Sequence, residues 1–162
     1  MSRENSKSDL VGEVLAEFRI SGNHDSAFDA LAAKRLGVND TDLHCLNIIE
    51  SRGGLTAGEL AKDSGLTTGA VTGVIDRLEK AGYARRVADP DDRRRVKVEV
   101  TEDFYTRADE IWGPLATEFY AALSDRFTPK ELERFAELLR TTSAIAARHT
   151  ERLRSTGQRR ER

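Results

Sequence analysis

Cysteine is almost absent from this chain, because Cys45 is the only one among its 162 residues. A single cysteine excludes a disulfide within the chain and argues against a cysteine-bound metal cluster. Long apolar runs are also missing, and none approaches the roughly 18 residues that a membrane-spanning helix needs. The first residues, MSRENSKSDL, contain no apolar signal core. We therefore expect a cytoplasmic protein without a membrane partner, whose residues 1–9 form a flexible leader.

Catalytic and cofactor motifs are absent as well. The sequence contains no HExxH, Walker A, GxGxxG or GxSxG pattern. Its three histidines, His24, His44 and His149, fall on different predicted helices, where a lone histidine is usually structural or exposed. Cys45 falls within an apolar helical stretch, which favours an inert buried thiol over a reactive one. The sequence therefore predicts no enzyme activity, no cofactor and no metal site.

Charge is nearly balanced overall, with 26 basic and 28 acidic residues, but it is unevenly distributed. Residues 1–66 carry 7 basic and 11 acidic groups, residues 67–101 carry 8 and 6, and residues 102–162 carry 11 of each. The net charge of the middle segment is therefore +2, against −4 and 0 for its neighbours. The length fits a single domain, and its weak basic footprint lies in the middle segment, where we expect nucleic acid to bind.

The segment Leu55–Thr101 contains two short helix patterns separated by a turn. Thr56 and Glu59 have the spacing of a capping box, in which the hydroxyl and the carboxylate each accept a hydrogen bond from an otherwise unpaired amide. Gly65 ends the first helix and Gly82 the second, because glycine adopts the left-handed backbone at no steric cost. The second helix has apolar residues at i, i+3, i+4 and i+7, the spacing of one buried face: Val71, Val74, Ile75 and Leu78.

The opposite face of the second helix is small and polar. It carries Gly69, Thr72 and Gly73, and each interior glycine costs a helix roughly 1 kcal/mol relative to alanine, which suggests a surface that another molecule approaches closely. A DNA major groove about 12 Å wide admits a helix, and threonine methyls can contact thymine methyls there. A protein helix packed on the same face is the alternative. The residues of this helix predicted to contact DNA are Thr67, Thr68, Gly69, Thr72 and Arg77.

A hairpin with an arginine-rich loop follows the second helix. Tyr83–Ala88 and the alternating valines of Val96–Val100 predict two strands, and Asp89-Pro90 predicts a turn between them. An arginine cluster on a loop is often only a solvated surface. Beside a groove-reading helix, however, the loop can place arginines in a DNA minor groove, whose negative potential attracts them. We predict that Asp92 holds an arginine in position internally and that the loop contacts DNA through Arg93, Arg94 and Arg95.

These pieces together resemble the MarR family of bacterial transcriptional regulators. The matching residues are Leu55-Thr56 with Glu59-Leu60-Ala61, the run Gly65–Gly82 with Asp76-Arg77-Leu78-Glu79 at its centre, and the D-x-R motif Asp92-Arg93-Arg94. The resemblance implies a homodimer that binds a pseudo-palindromic operator and releases it when a small aromatic or phenolic molecule binds. It also implies that Arg94, the second arginine of this motif, enters the minor groove.

Amphipathic helix patterns flank the winged segment on both sides. We predict an N-terminal helix over residues 10–38, which Ser21-Gly22-Asn23 could bend or break. Residues 39–101 are predicted to form a winged helix-turn-helix DNA-binding domain, residues 102–154 C-terminal helices, and residues 155–162 a disordered tail. The flanking helices have more apolar surface than a small domain covers alone, so we expect them to form the dimerisation region across a twofold axis. The operator should then be an inverted repeat with half-sites about 34 Å apart.

An effector pocket is expected from the resemblance. Trp112, Phe28 and His44 are candidate lining residues, and Arg19 is a candidate partner for an anionic group. The sequence as a whole predicts a mainly α-helical winged helix-turn-helix protein with a small β-hairpin wing. Its expected function is that of a ligand-responsive transcriptional repressor, with double-stranded DNA, a second copy of itself and a small effector as partners. The alternative is a winged-helix module that binds protein and not DNA.

Overall fold

The computed structural model describes residues 6–89, 92 and 94–160. Over these residues the chain forms six α-helices and one two-stranded antiparallel hairpin, which confirms the predicted mainly α-helical fold with a small β wing. The chain divides into two compact units, Met1–Arg107 and Ala108–Arg162. In chain order, the elements are α1 (Lys7–Leu36), α2 (Asp40–Ser51), α3 (Ala57–Ser64), α4 (Thr68–Lys80), β1 (Ala84–Ala88), β2 (Val96–Val100), α5 (Glu102–Arg126) and α6 (Pro129–Arg160).

The first helix begins at Lys7, before the start predicted at residue 10. The reason is a capping box, in which the Ser6 hydroxyl accepts from Asp9 N at 3.2 Å and the Asp9 carboxylate accepts from Ser6 N at 3.0 Å. Hydrogen bonds from Ser6 also hold the pKa of Asp9 below its usual range. α1 then runs unbroken through Ser21-Gly22-Asn23 to Leu36, where Gly37 caps it with a left-handed φ of 72°.

The helix-turn-helix is built on the buried faces of α2, α3 and α4, which pack on one another. Asn39 caps α2 by accepting from Asp42 N at 2.9 Å. Thr56 and Glu59 form the predicted capping box of α3, and Gly65 ends that helix with a φ of 76°. The apolar residues predicted for α4 are all buried, as are those of its neighbours: Leu43, Cys45, Leu46, Ile49, Leu60, Val71, Val74, Ile75 and Leu78.

The hairpin is anchored to the helix-turn-helix at its base. β1 and β2 pair antiparallel along their whole length, and Leu55 adds two backbone hydrogen bonds with Val98, at 3.1 and 2.8 Å. The Thr101 hydroxyl accepts from Phe104 N and donates to Gly82 O at 2.6 Å. The start of α5 is thereby fastened to the turn that follows α4.

The second unit contains most of α5 and the whole of α6. Thr128 and Glu131 form a capping box at the start of α6, in which Thr128 N donates to the Glu131 carboxylate at 2.8 Å and Glu131 N donates to the Thr128 hydroxyl. α6 continues to Arg160, whereas the sequence predicted a disordered tail from residue 155. The sequence has no proline after Pro129 to interrupt the helix. Within the described residues, no helix is long and apolar enough to cross a membrane.

Candidate nucleic-acid interface

The start of α4 presents an exposed face of small side chains. Thr67 caps the helix, its hydroxyl accepting from Ala70 N at 3.2 Å. Thr72 donates its hydroxyl to Thr68 O at 3.1 Å, which leaves a methyl group and acceptor lone pairs for a partner. The Thr68 hydroxyl makes no hydrogen bond within the described part of the chain. Four residues predicted to contact DNA are exposed together on this face: Thr67, Thr68, Gly69 and Thr72.

The two glycines of α4 have different surroundings. A Cβ added at Gly69 would meet no atom within 4 Å, so a partner could approach the helix backbone closely there. A Cβ added at Gly73 would lie 3.4 Å from Nη1 of Arg77. From the sequence, both glycines are predicted to leave room for another molecule. That interpretation fits Gly69, whereas the space beside Gly73 is used by a side chain of the same helix.

Arg77, predicted to contact DNA, binds Asp42 of α2. Its Nε donates to Asp42 Oδ2 at 3.0 Å and its Nη2 donates to Oδ1 at 2.6 Å, so the ion pair is bidentate. Asn39 Nδ2 adds a third hydrogen bond to Oδ2 at 2.9 Å. The Asp42 side chain is 4% exposed and that of Arg77 is 52% exposed. Hydrogen bonding to Asp42 raises the pKa of the Arg77 guanidinium, which is thus held by an internal carboxylate.

A second cluster of charges joins α4 to the wing. Arg86 of β1 donates from Nη2 to Asp76 Oδ1 at 2.8 Å and from Nη1 to the Glu79 carboxylate, which also accepts from Arg86 N at 3.0 Å. These contacts raise the pKa of the Arg86 guanidinium, chiefly through its hydrogen bond to Asp76. The segment Asp76-Arg77-Leu78-Glu79 therefore engages its three charged side chains within the protein and buries Leu78 in the core.

The described basic side chains of the wing are all paired with carboxylates. Nε of Arg94 donates to Asp92 Oδ1 at 3.1 Å, which confirms that Asp92 is an internal partner, and the Arg94 side chain remains 91% exposed. Hydrogen bonds from Arg94 lower the pKa of Asp92. Arg95 lies 3.4 Å from a carboxylate oxygen of Glu59 in α3. Arg93, also predicted to contact DNA, lies outside the described residues. Two further pairs in the hairpin are Arg85–Glu99 and Lys97–Asp89.

Sequence reasoning missed Asp42 and Arg86. A signal for Asp42 was present, because it precedes the buried residues Leu46 and Ile49 by four and seven positions and so falls on the same helix face. A carboxylate on a buried face requires a hydrogen-bonded cation. No comparable signal existed for Arg86, since strand alternation does not tell which helix a long side chain reaches.

The buried thiol of Cys45 is not part of the exposed face. Its relative exposure is 0%, and burial raises the pKa of the thiol, with a further contribution from the negative charge of Asp42. A raised pKa disfavours the thiolate, which is the reactive form. No group of three or more potential metal ligands occurs among the side chains that the structure describes.

The four residues predicted for an effector pocket are distributed over α1, α2 and α5. His44 is exposed on α2 and lines a groove of about 260 Å³ together with polar side chains of α1 and α2. Arg19 is exposed on α1, and Phe28 is half-buried on the same helix. Trp112 is half-buried on α5, within the second unit.

Comparison with known proteins places this arrangement in a family. The model of the MarR family matches residues 38–96, from the residue before the α2 cap to the first residue of β2. An uncharacterized HTH-type transcriptional regulator of Bacillus subtilis, YcgE, is 39% identical over 153 residues, which cover 94% of this chain and 99% of the relative. The chain belongs to the MarR family.

Solved structures share the fold. A MepR mutant from a multidrug-resistant S. aureus clinical isolate gives a TM-score of 0.65 at 20% identity, covering 88% of this chain and 99% of that one. A second S. aureus MepR mutant, bound to an oligodeoxyribonucleotide, gives a TM-score of 0.53 at 21% identity, covering 82% and 97%. The MarR family consists of transcriptional regulators, and this member has the winged-helix DNA-binding fold.

Proposed function

We propose that this MarR-family protein is a ligand-responsive repressor in the cytoplasm that binds a pseudo-palindromic operator in double-stranded DNA as a homodimer. The exposed small-residue face at the start of α4 carries the proposal. Its threonines and Gly69 offer methyl groups, a hydroxyl donor and close backbone approach, which suit the base edges of a major groove. The amides at the N-terminus of the same helix favour phosphate oxygens.

The wing supplies the charged contacts in this proposal. Arg94 is almost fully exposed between β1 and β2, and its partner Asp92 restrains it without covering it. An arginine presented in this way suits a narrow minor groove. We also assign DNA contacts to Arg93 and Arg95, the second of which would stay tied to α3 through Glu59. A MepR mutant of the same fold is bound to an oligodeoxyribonucleotide, which supports DNA binding by analogy.

Dimerisation is supported by apolar side chains that each unit leaves exposed. Contiguous exposed apolar surface marks an interaction site, and a second copy covers such a surface through a twofold axis. Two copies would also present two α4 helices to successive turns of one DNA face, about 34 Å apart. On α1 the exposed residues are Leu10, Val11, Val14, Leu15, Ile20 and Leu31, and on α5 and α6 they include Phe119, Tyr120, Phe135, Leu138, Leu139 and Ile145.

Selection of duplexes from a random-sequence pool tests the DNA-binding function. We expect enrichment of an inverted repeat with half-sites about 10 base pairs apart, and an affinity that falls with salt by a log–log slope of about −0.9 for each phosphate neutralised. Light scattering should give the mass of a dimer. A slope near zero, or a stable monomer at the binding concentration, would contradict the proposal.

A matched pair of variants assigns the contact to α4. Thr72→Glu places a carboxylate on the proposed groove-facing side, where phosphates repel it, and should abolish binding of the selected duplex. Thr106→Glu is the control, because Thr106 lies exposed on α5 and donates to the carbonyl four residues before it, as Thr72 does. Equal loss of binding in both variants would argue against recognition by α4.

A protein-interaction module remains the second candidate function. The observation that favours it is the internal pairing of the wing's described basic side chains, which leaves little free positive charge for phosphates. This candidate predicts that the random pool yields no enriched duplex at any salt concentration. Enrichment of a specific sequence would exclude it as the main function.

The proposed effector is a small aromatic or phenolic molecule. The effector can weaken DNA binding only if it binds more tightly to a conformation in which the distance between the two α4 helices does not fit the operator. Trp112 is the only tryptophan, so its fluorescence reports on the second unit during titration with hydroxybenzoates. We expect a fluorescence change together with weaker operator binding. No change in either measurement would count against ligand control by this chemical class.

A further inference from the structure

The Asp42–Arg77 ion pair joins the helix proposed to read DNA to the helix beneath it. We propose that Asp42 is a positioning residue for DNA recognition, because it holds α4 in place through Arg77. In this proposal Arg77 binds Asp42 within the protein and does not bind a DNA phosphate. This inference rests on the proposed DNA-binding function. It assigns a role to a buried carboxylate outside the contact face and changes the role predicted for Arg77.

Asp42 lies at a helix N-terminus and among hydrogen-bond donors. It is the third residue of α2, where the partial positive charge of a helix N-terminus favours an anion. Its carboxylate accepts two hydrogen bonds from Arg77 and one from Asn39, the residue that caps α2. The side chain is almost completely buried. A carboxylate removed from water in this way depends on its cation, because the loss of one partner leaves an uncompensated buried charge.

Arg77 has little freedom to leave this carboxylate. Two of its three guanidinium nitrogens donate to Asp42, and the third, Nη1, lies over the space that Gly73 leaves open. A bidentate pair fixes orientation as well as distance, because both groups are planar. Movement of the guanidinium to a phosphate would therefore strip Asp42 of its cation. Although about half of the Arg77 side chain is exposed, its guanidinium is therefore not available to bind DNA.

Neighbouring residues hold α4 from two directions. Arg77 binds α2, whereas Asp76 and Glu79 bind Arg86 in the wing strand β1. The C-terminal half of α4 is fixed by these contacts, and its N-terminal half carries the exposed threonines and Gly69. Short side chains reach base edges only when the helix itself lies deep in the groove. A small rotation of α4 would therefore remove several contacts at once, which makes its orientation decisive for binding.

A double-mutant cycle on the selected duplex tests the proposal. Asp42→Asn keeps the shape of the side chain and removes its charge, and Arg77→Gln removes the bidentate donor. We expect each single variant to weaken DNA binding by about tenfold and the double variant to be no weaker than either, because coupled residues are strongly non-additive. If Arg77 instead bound a phosphate, Asp42→Asn would free it and leave binding as tight as, or tighter than, that of the wild type.

The same cycle contains a second criterion. A phosphate ligand would give the same loss on Arg77→Gln in the wild-type and Asp42→Asn backgrounds, and would reduce the salt slope by about 0.9 per protomer. Either result would overturn the proposal. Arg77→Lys, which retains the charge but not the two-bond geometry, should also weaken binding while the chain stays folded, and this variant decides the matter if Asp42→Asn does not fold. Unchanged binding by Arg77→Lys would likewise overturn it.

Arg52→Gln is the matched control. It removes the Arg52–Asp63 ion pair, which lies at 3.5 Å in the same unit but does not involve α4. We expect its operator affinity to equal that of the wild type, with all variants compared below their unfolding temperatures and as dimers by light scattering. Equal weakening by Arg52→Gln would show a general loss of integrity and refute a specific role for Asp42. Failure of the wild type to enrich any duplex would instead refute the proposed function.

Discussion

Replacement of Gly69 by alanine should make this protein more stable and a weaker DNA binder. Gly69 lies in the first turn of α4, and a Cβ added there would meet no atom within 4 Å. Alanine at a compatible backbone position stabilises a protein by about 0.4–1 kcal/mol, chiefly because it restricts the unfolded chain. For a chain of this length, 1 kcal/mol corresponds to an unfolding temperature about 2–4 °C higher.

The same methyl group would lie between the helix backbone and the DNA in the proposed complex. An extra methyl group in a closely packed contact costs about 1–3 kcal/mol, which corresponds to an affinity about 5- to 150-fold lower for each half-site of the dimer's operator. Thermal unfolding followed by circular dichroism measures the first effect, and fluorescence anisotropy with the selected duplex measures the second. The unfolding temperature of Gly69→Ala should rise, whereas its affinity for the duplex should fall.

Gly22→Ala is the control for the Gly69 variant. Gly22 also lies inside a helix, α1, and a Cβ added there meets nothing within 4 Å. This variant should gain stability without losing DNA affinity, and its dimer mass should be unchanged. If Gly69→Ala bound the duplex as tightly as the wild type, close approach of DNA to the start of α4 would be refuted. Lower stability would show that the position is not open in the free protein.

Four other perturbations have defined outcomes. Arg94→Ala should weaken operator binding without changing the dimer mass, because it removes the arginine assigned to the minor groove, and unchanged affinity would exclude that contact. Ile75→Ala should lower the free energy of unfolding in urea by about 2–5 kcal/mol, because Ile75 is buried in the core. Cys45 should react with a thiol reagent more slowly in the native than in the urea-unfolded protein, and equal rates would contradict its burial. Hydrogen bonds from Thr56 lower the pKa of Glu59. The stability that these hydrogen bonds contribute is therefore fully present above the usual glutamate pKa of about 4.3, and it is lost as the pH falls through the lowered pKa of Glu59. Urea unfolding at pH 6 and pH 3 should show a smaller stability difference in Thr56→Ala than in the wild type.

Local features of this fold were predictable because each depends on residues a few positions apart. The capping boxes at Thr56 and Thr128 need only a carboxylate three residues later. The left-handed ends of α1 and α3 need only glycine, at Gly37 and Gly65. The buried face of α4 follows from an apolar repeat of one helical period. The start of α1 was predicted too late because the capping box at Ser6 lies before its apolar residues.

The ion-pair partners of long charged side chains could not be predicted from local sequence patterns. Arg77 and Asp42 are 35 positions apart, and their contact depends on how α4 crosses α2. Asp76 and Arg77 are adjacent in sequence, yet they bind partners in different elements. A helical pattern assigns both to the outer part of the helix without telling which partner they meet. The same limit applies to Arg95, whose partner Glu59 is 36 positions away.

Internal pairing of charge should help this protein to discriminate its operator from other DNA. Non-specific DNA binding comes almost wholly from cations that neutralise phosphates, whereas base edges are read by hydrogen bonds and methyl contacts. In this protein the described basic side chains of the wing are already paired, as is Arg77, and the face of α4 is small and uncharged. Such pairing lowers the affinity for non-specific DNA more than it lowers the affinity that contacts to the operator's base edges contribute. Because a genome offers vastly more non-specific than specific sites, weaker general attraction favours occupancy of the operator, provided that the ion pairs of Arg77 and Arg86 keep α4 in the orientation that reads it.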